Sequence, residues 1–305
     1  MKWIWFVLAT TTLGSCSGSQ PLININDIQL NTKEGFVFID CESGLRLEYS
    51  EVVNKIVNHD IVLLGEQHNH ATGHALQKKL VSDVFRQFPK SILALEMLER
   101  DEQPLVEDLL DGLISENTFA TLTHSANWAG KDTWENWYQP IINVVMEGGG
   151  RVVAANAPRR YVKLARKDGY ESLEQLPKNR RVLVNYPKNP SSGEYARLFW
   201  EIAGVHKGVA TKEEDKEVLS FFRGQQVWDA TMAESIVRAQ PTKTQKVILL
   251  TGQFHVEYDG GIVQELRVRK PEAKVIVITI HPTEPTLLST ELKIADILVF
   301  EETIK

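Results

Sequence analysis

Cysteine is nearly absent from this 305-residue chain, which contains only Cys16 and Cys41. A small fold stapled by several disulfides is therefore excluded, and a hydrophobic core has to hold the protein together. A chain of this length is long enough to bury such a core in one or two domains.

Positive charge is also in short supply, because 34 Lys and Arg stand against 40 Asp and Glu, for a formal net charge of −6. A net acidic protein has no general electrostatic attraction to a phosphate backbone or to anionic lipid headgroups. We therefore expect no nucleic-acid partner, and any membrane contact needs another cause.

The N-terminus carries an apolar stretch that is too short to span a membrane. Lys2 is followed by largely apolar residues from Trp3 to Leu13, whereas a spanning helix needs ~20 of them. One positive charge, an apolar run and small residues before a cysteine are typical of a signal peptide, here residues 1–15. The segment Leu13-Gly14-Ser15-Cys16 resembles a bacterial lipobox.

Cleavage before Cys16 and acylation of its side chain would anchor the protein, because several acyl chains together hold a protein stably in a bilayer. The alternative is an ordinary signal peptide with a chance cysteine. Lipidation predicts a location in the cell envelope, and Ser17 resembles the outer-membrane sorting pattern of Gram-negative lipoproteins. Residues 16–32 then form a polar tether, and residues 33–305 form the folded domain.

Short apolar runs alternate with helical patterns along the domain and predict an α/β fold. The runs begin at Ile61, Ile92, Val152, Val247 and Val275. Their continuous apolar character fits strands that are buried on both faces, as in a mostly parallel sheet flanked by helices. Between about residues 170 and 240 the pattern is helical, which predicts a smaller helical lobe inserted into the sheet domain.

Two histidine motifs follow predicted strands directly, namely Gly65-Glu66-Gln67-His68 and Gly252-Gln253-Phe254-His255. Because the carboxyl ends of parallel strands meet at one edge of the sheet, polar residues at these ends converge on one cleft. Two carboxylates and two imidazoles can bind a divalent metal, activate water or hold a cofactor. The converging residues are Glu66, His68, Glu96, Asn156, Arg159 and His255.

Each of these residues also has a purely structural interpretation, since Glu66, for example, would stabilise a neighbouring helix N-terminus. His70 and His74 lie four residues apart at the start of a predicted helix. That spacing occurs in metal sites, but it lacks the glutamate placement of a zincin helix, and histidines on a helix surface are common.

An aromatic cluster of Trp128, Trp134, Trp137 and Tyr138 is dense for one segment. Core packing is the simplest interpretation. The alternative is a wall for a flat aromatic ligand, with Tyr138 as a donor to iron, because tyrosinate is a known haem ligand.

Taken together, the motifs resemble those of the ChaN-like haem-binding lipoproteins, which share a superfamily with Tiki proteases, TraB proteins and erythromycin esterases. The resemblance extends from about Asp60 to His281. It depends on the two histidine motifs, Leu95-Glu96-Met97, Trp137-Tyr138, Asn156-Ala157-Pro158-Arg159 and the segment from Gln226 to Ala233.

The resemblance implies a lipoprotein of iron uptake that binds haem between two copies of the chain, with a tyrosine on the iron. Tyr138 is the first candidate for that ligand because it lies in a matching motif. Tyr161 is the second, because it follows Arg159 just after a strand end. His68, His255, Glu66, Glu96, Asn156 and Arg159 would complete the haem site.

The esterase and Tiki branches of the same superfamily imply a different function. Their matching positions, Glu66, His68, Glu96 and His255, imply hydrolysis by an activated water, without metal in one branch and with a divalent metal in the other. The sequence therefore leaves two hypotheses open, a haem-binding protein and a Glu/His-dependent hydrolase that uses the same cleft.

Overall fold

The computed structural model describes residues 23–30, 35–203, 213–239, 245–285 and 293–302, with the side chains of the third range described from residue 216 onward. The predicted signal peptide and Cys16 lie outside these ranges. The described strands are β1 (Phe36–Asp40), β2 (Arg46–Leu47), β3 (Ile61–Glu66), β4 (Ile92–Glu99), β5 (Arg151–Asn156), β6 (Val247–Gly252), β7 (Val275–His281) and β8 (Ile297–Glu301).

These strands form one eight-stranded sheet in the order β2-β1-β8-β7-β3-β6-β4-β5. The strands from β8 to β5 are mutually parallel, and β1 pairs with β8 and β2 in antiparallel fashion at one edge. The predicted mostly parallel α/β sheet is confirmed, and each of the apolar runs forms a strand.

The apolar runs are buried because helices cover both faces of the sheet. In β3, Val62 and Leu64 face one core, whereas Ile61 and Leu63 face the other. This alternation explains why the run has no polar positions. The described helices are α1 (Tyr49–Val57), α2 (Ala71–Gln87), α3 (Gln103–Leu110), α4 (Glu116–Leu122), α5 (Gln139–Glu147), α6 (Arg159–Asp168), α7 (Glu171–Glu174), α8 (Lys178–Arg181), α9 (Gly193–Ile202), α10 (Glu213–Ala239) and α11 (Gly261–Arg269).

Helices α6 to α10 connect β5 to β6 and include the predicted helical insertion. The longest of them, α10, packs against β5, β4 and α11. The buried side chains of Met232, Ala233 and Ile236 join the core on that face of the sheet. Helix α10 therefore belongs both to the insertion and to the helical layer that covers this face of the sheet.

The chain leaves β3 and β6 toward opposite faces of the sheet. Helix α2 follows β3 on one face and α11 follows β6 on the other, although the two strands are direct neighbours with Glu66 opposite Gly252. Diverging connections of this kind open a crevice at the carboxyl ends of the two strands. The predicted cleft therefore lies at this edge.

The N-terminal segment packs against the aromatic cluster of the domain. Ile25 is buried, and the indole Nε1 of Trp137 donates a hydrogen bond to the carbonyl oxygen of Ile23 at 3.0 Å.

Cys41 is a half-buried free thiol, and burial raises its pKa. Across the described ranges, no helix combines the length and apolar character needed to cross a membrane.

Candidate functional site

A buried carboxylate, Glu66, organises one side of the crevice. Its Oε1 accepts hydrogen bonds from Nδ1 of His68 at 2.8 Å and from Oη of Tyr138 at 2.7 Å. Its Oε2 accepts one from Nε2 of Gln77 at 3.0 Å and lies 3.6 Å from the ring of His74. A buried charge requires partners of this kind, so Glu66 is fixed in position.

His68 is oriented by this carboxylate and reaches the opening of the crevice. Because Nδ1 donates to Glu66, the other ring nitrogen, Nε2, is available as a base or a ligand. The side chain of His68 is 35% exposed, whereas that of Glu66 is 3% exposed. Burial alone would lower the pKa of His68, but the hydrogen bond and charge of Glu66 outweigh it and raise that pKa.

His70 and His74 do not share a site, contrary to the metal-binding interpretation, and they do not lie on the helix surface either. Both are buried. The ring of His70 meets Glu301 at 2.6 Å, whereas His74 stacks on Trp137 with the ring centres 5.0 Å apart. The ring nitrogens of His74 lie against Oε1 of Gln77 and the carbonyl oxygen of His68. His74 therefore supports Glu66 and His68 from behind.

A second histidine–carboxylate pair faces the first from the other side of the crevice. Nδ1 of His255 lies 2.5 Å from Oδ1 of Asp229 on α10, and Oη of Tyr195 on α9 donates to the other Asp229 oxygen at 2.5 Å. Nε2 of His255 lies 3.6 Å from Oε1 of Glu96. The insertion thus supplies the carboxylate that orients His255.

Glu96 lies between the two histidines and is held by β6. Its Oε2 accepts hydrogen bonds from Oγ1 of Thr251 at 2.7 Å and from the backbone N–H of Gly252 at 2.6 Å. Burial alone would raise the pKa of Glu96, but the adjacent His255 and His68 outweigh it and hold the pKa of this carboxyl well below its usual range.

The missing side chain of Gly252 leaves a small space between His68 and Glu96. A Cβ at this position would lie 3.2 Å from Nε2 of His68 and 3.6 Å from Oε2 of Glu96. The backbone angles of Gly252, φ −56° and ψ 137°, suit any residue. Glycine here therefore provides room rather than backbone freedom, because any side chain at this position would press on His68 and approach Glu96.

The mouth of the crevice combines an aromatic ring with a cation. Trp128 is edge-on to the ring of His68 at 6.2 Å, and the guanidinium of Arg159 lies 5.0 Å from the centre of a Trp128 ring. Arg159 is 46% exposed and pairs with Glu99 at 3.4 Å. These groups make the mouth suited to a flat ligand that carries a carboxylate.

The remaining predicted residues lie around this centre rather than within it. Nδ2 of Asn156 donates to the backbone oxygen of Glu96 at 2.9 Å, which supports the strand end. Tyr161 is buried in a separate apolar cluster beneath the guanidinium of Arg160. Tyr138 is buried within the core, and burial beside Glu66 raises the pKa of its phenol well above the usual value.

The convergence expected from the strand ends is therefore observed for Glu66, His68, Glu96 and His255. The sequence interpretation did not include Asp229, Tyr195, Gln77 and Thr251 in the site. Asp229 had one visible signal, since it lies four residues after Gln225 on a polar edge of a predicted helix. Within the described ranges, no group of three or more His, Cys, Asp or Glu side chains is arranged to hold a metal ion.

Comparison with known proteins gives one family and two solved structures. The model of the family described as haem-binding uptake, Tiki superfamily, ChaN matches residues 52–266. A structure of ChaN from Campylobacter jejuni, described as showing cofacial haem binding, is 20% identical with a TM-score of 0.68 and covers 90% of this chain and 100% of that chain. An erythromycin esterase mutant in its open conformation is 13% identical with a TM-score of 0.42, covering 77% of this chain and 73% of that one.

The C. jejuni structure supports the fold, whereas the esterase is too distant to support an argument. Comparison with curated protein sequences gives no match. The family model, however, spans well over half of the chain and includes both histidine motifs. The chain therefore belongs to the ChaN family of haem-binding uptake proteins in the Tiki superfamily.

Proposed function

We propose that this protein captures haem beside a membrane in iron or haem uptake. Membership of a haem-binding family supports the ligand. The single observation that supports a binding site for haem on this chain is the mouth of the crevice, where His68, Trp128 and Arg159 lie together. An imidazole suits iron, an indole suits the flat macrocycle, and a guanidinium suits a propionate carboxylate.

Among the residues at the mouth, His68 is the best candidate ligand for a haem iron. Its side chain is 35% exposed, and Nδ1 is hydrogen-bonded to Glu66 at 2.8 Å. A carboxylate on the far nitrogen fixes the tautomer and makes the near nitrogen a stronger ligand. We propose that Nε2 of His68 binds the iron and that Arg159 receives a propionate.

Tyr138 and Tyr161, the ligands chosen by resemblance, stay predictions. Oη of Tyr138 donates to Glu66 at 2.7 Å in the interior. Iron binding through Tyr138 would require the site to open and that hydrogen bond to break. Tyr161 is 7% exposed beneath Arg160, so its phenol would also have to move.

Titration of the domain with hemin tests this proposal. We expect a shifted Soret band for the wild type and an affinity that is weaker by about 10-fold or more in His68→Gln, which loses a metal ligand. Tyr138→Phe and Tyr161→Phe are the comparison variants. A wild-type spectrum identical to that of free hemin would overturn haem binding. Loss of the shift in a tyrosine variant, with His68→Gln unchanged, would overturn the ligand assignment alone.

We further propose that lipid on Cys16 holds the domain in the cell envelope, at the outer membrane in a Gram-negative host, and that haem is bound between two copies. The lipobox-like segment supports the anchor. The description of cofacial haem in the C. jejuni structure supports the pairing. Palmitate labelling that Cys16→Ala leaves intact would exclude the anchor. A mass by light scattering that stays monomeric after hemin addition would exclude the pairing.

The second candidate function is hydrolysis of an ester or peptide, and the Glu66–His68 pair is the observation that favours it. A carboxylate that orients a histidine and leaves Nε2 free is the arrangement of a general base. Gly252 keeps that nitrogen clear, since a Cβ at this position would lie 3.2 Å from it. Release of acetate from 4-nitrophenyl acetate, abolished in His68→Gln, would support this function. Undiminished release in that variant would exclude His68 as the base.

A further inference from the structure

His255 lies beside the proposed general base, His68, but hydrolysis as proposed above gives it no role. It is 8% exposed, and its two ring nitrogens face two different carboxylates, Asp229 and Glu96. A histidine between two carboxylates favours the doubly protonated ring. His68 and Glu96 both lie beside Gly252, and Nε2 of His255 lies 3.6 Å from Oε1 of Glu96.

We propose that His255 is the general acid of this cleft and that Asp229, contributed by the helical insertion, positions it. The inference rests on the second candidate function, hydrolysis. His68 would then act as the base and His255 as the acid, both of them beside Glu96. Asp229 acts through His255, so it is a positioning residue.

The proposed step conserves every atom and proton. Nε2 of His68 takes a proton from water, and the water oxygen forms a bond to the carbonyl carbon of the substrate. The bond from that carbon to the leaving oxygen or nitrogen breaks. The leaving atom takes the proton from Nε2 of His255, and the products are a carboxylic acid and an alcohol or amine. Solvent then returns a proton to His255 and accepts one from His68.

The groups that face His255 favour its acid form at neutral pH. Asp229 and Glu96 are its ionisable partners, Gln225 lies 3.0 Å from Nδ1, and His68 is close enough to interact with it electrostatically. Burial alone would lower the pKa of His255, but Glu96 and Asp229 outweigh it and raise that pKa to about 10. The acid is therefore charged under the conditions in which a base at His68 is required.

Asp229 is fixed from two directions. Oη of Tyr195 donates to its Oδ2 at 2.5 Å. On the other side, Gly261 at the start of α11 has no side chain, and a Cβ there would overlap the Asp229 carboxylate. The absent Cβ lets α10 and α11 approach closely enough for this carboxylate to reach His255. Packing of these helices thus determines where the acid points.

Two esters with different leaving groups separate an acid from a base. The leaving group of 4-nitrophenyl acetate departs as an anion, whereas that of ethyl acetate requires a proton. For ethyl acetate we expect His255→Gln and Asp229→Asn to lower kcat/KM about 100-fold, the usual scale of general acid catalysis. The same variants should change kcat/KM for the nitrophenyl ester much less. His68→Gln should impair both substrates, and Asp259→Asn, which alters an exposed carboxylate paired with Arg267, should impair neither.

Equal losses on both esters in His255→Gln would overturn the acid role of His255 alone. A wild type that hydrolyses neither ester would overturn that role and the second candidate function together. The positioning role has a separate readout. In the wild type the ring nitrogens of His255 should show a protonated imidazole by NMR across neutral pH. Asp229→Asn should shift that titration to lower pH, and Tyr195→Phe should give an intermediate shift. An unchanged titration in Asp229→Asn would overturn the positioning role whatever the turnover.

Discussion

Oη of Tyr138 donates a hydrogen bond to Oε1 of Glu66 at 2.7 Å, although the two residues are 72 positions apart in the chain. The same carboxylate oxygen binds Nδ1 of His68 at 2.8 Å. A side chain of the aromatic cluster therefore supports the residue that orients His68. The core and the site share this carboxylate, so a change in one affects the other.

Removal of this hydroxyl should weaken both. We expect Tyr138→Phe to lower the free energy of unfolding by roughly 1.5–3 kcal/mol, the usual worth of a hydrogen bond to a charged group. Urea denaturation measures this loss. Tyr186→Phe is the control, because its hydroxyl binds Glu174 at the surface, and it should cost much less. A loss in Tyr186→Phe equal to that in Tyr138→Phe would contradict the role given to Glu66.

Filling the space at Gly252 should block the cleft without unfolding the domain. In Gly252→Ala the new Cβ lies 3.2 Å from Nε2 of His68, and the backbone angles tolerate alanine. We expect turnover or ligand affinity to fall about 10-fold or more, since sub-ångström misplacement of reacting groups is costly. Gly148→Ala is the matched control, because its Cβ would lie 3.2 Å from Phe85, away from the cleft. If the two variants behave alike, the space has no function.

Stability should decline toward alkaline pH because of His255. The pKa of His255 in the folded protein is raised to about 10, above the value of ~6.5 for an unperturbed histidine. Its contribution is therefore complete below pH ~6.5 and is lost as the pH rises through about 10. Urea denaturation between pH 6 and pH 10 should show a decline on the order of a few kcal/mol, and the slope should be shallower in Asp229→Asn. A flat profile for the wild type would contradict the charged state of His255.

Arg100 should contribute strongly to the attachment of α10. Its buried guanidinium donates to Oγ of Ser235 at 2.8 Å, to Glu234 at 2.8 Å and to the carbonyl oxygen of Thr231 at 2.7 Å. Arg100→Ala removes these three hydrogen bonds, including the buried ion pair with Glu234, and should lower the free energy of unfolding by about 3–5 kcal/mol. Arg238→Ala, which removes an exposed partner of the same Glu234, should cost less than about 1 kcal/mol. Thermal unfolding of the two variants separates these expectations.

The sheet and half of the site could be predicted because they depend on local pattern. Apolar runs such as Ile61 to Leu64 define buried strands, and parallel strands bring their carboxyl ends to one edge whatever their order. This was enough to bring Glu66, Glu96 and His255 together. The residues involved lie within a few positions of a strand end, so no helix geometry was needed.

The remaining site depends on helix rotation and packing, which a single sequence does not reveal. Asp229 reaches His255 because α10 packs against β5, β4 and α11 and because Gly261 allows close approach. His70 and His74 share a helical spacing, yet one precedes α2 and turns toward β8 while the other points into the core. The contact of Tyr138 could not be predicted for the same reason, because packing directs its hydroxyl inward to Glu66.

The central position of β3 determines which part of the molecule moves least. β3 is hydrogen-bonded on both sides, by β6 and β7, and both of its faces are covered by helices. Its amide protons should therefore exchange with solvent only when the whole domain unfolds. Glu66 ends this strand, so the carboxylate that orients His68 is attached to a backbone that is paired on both sides. Ligand capture at the mouth would then rearrange side chains such as Trp128 and Arg159 while the backbone beneath them stays fixed.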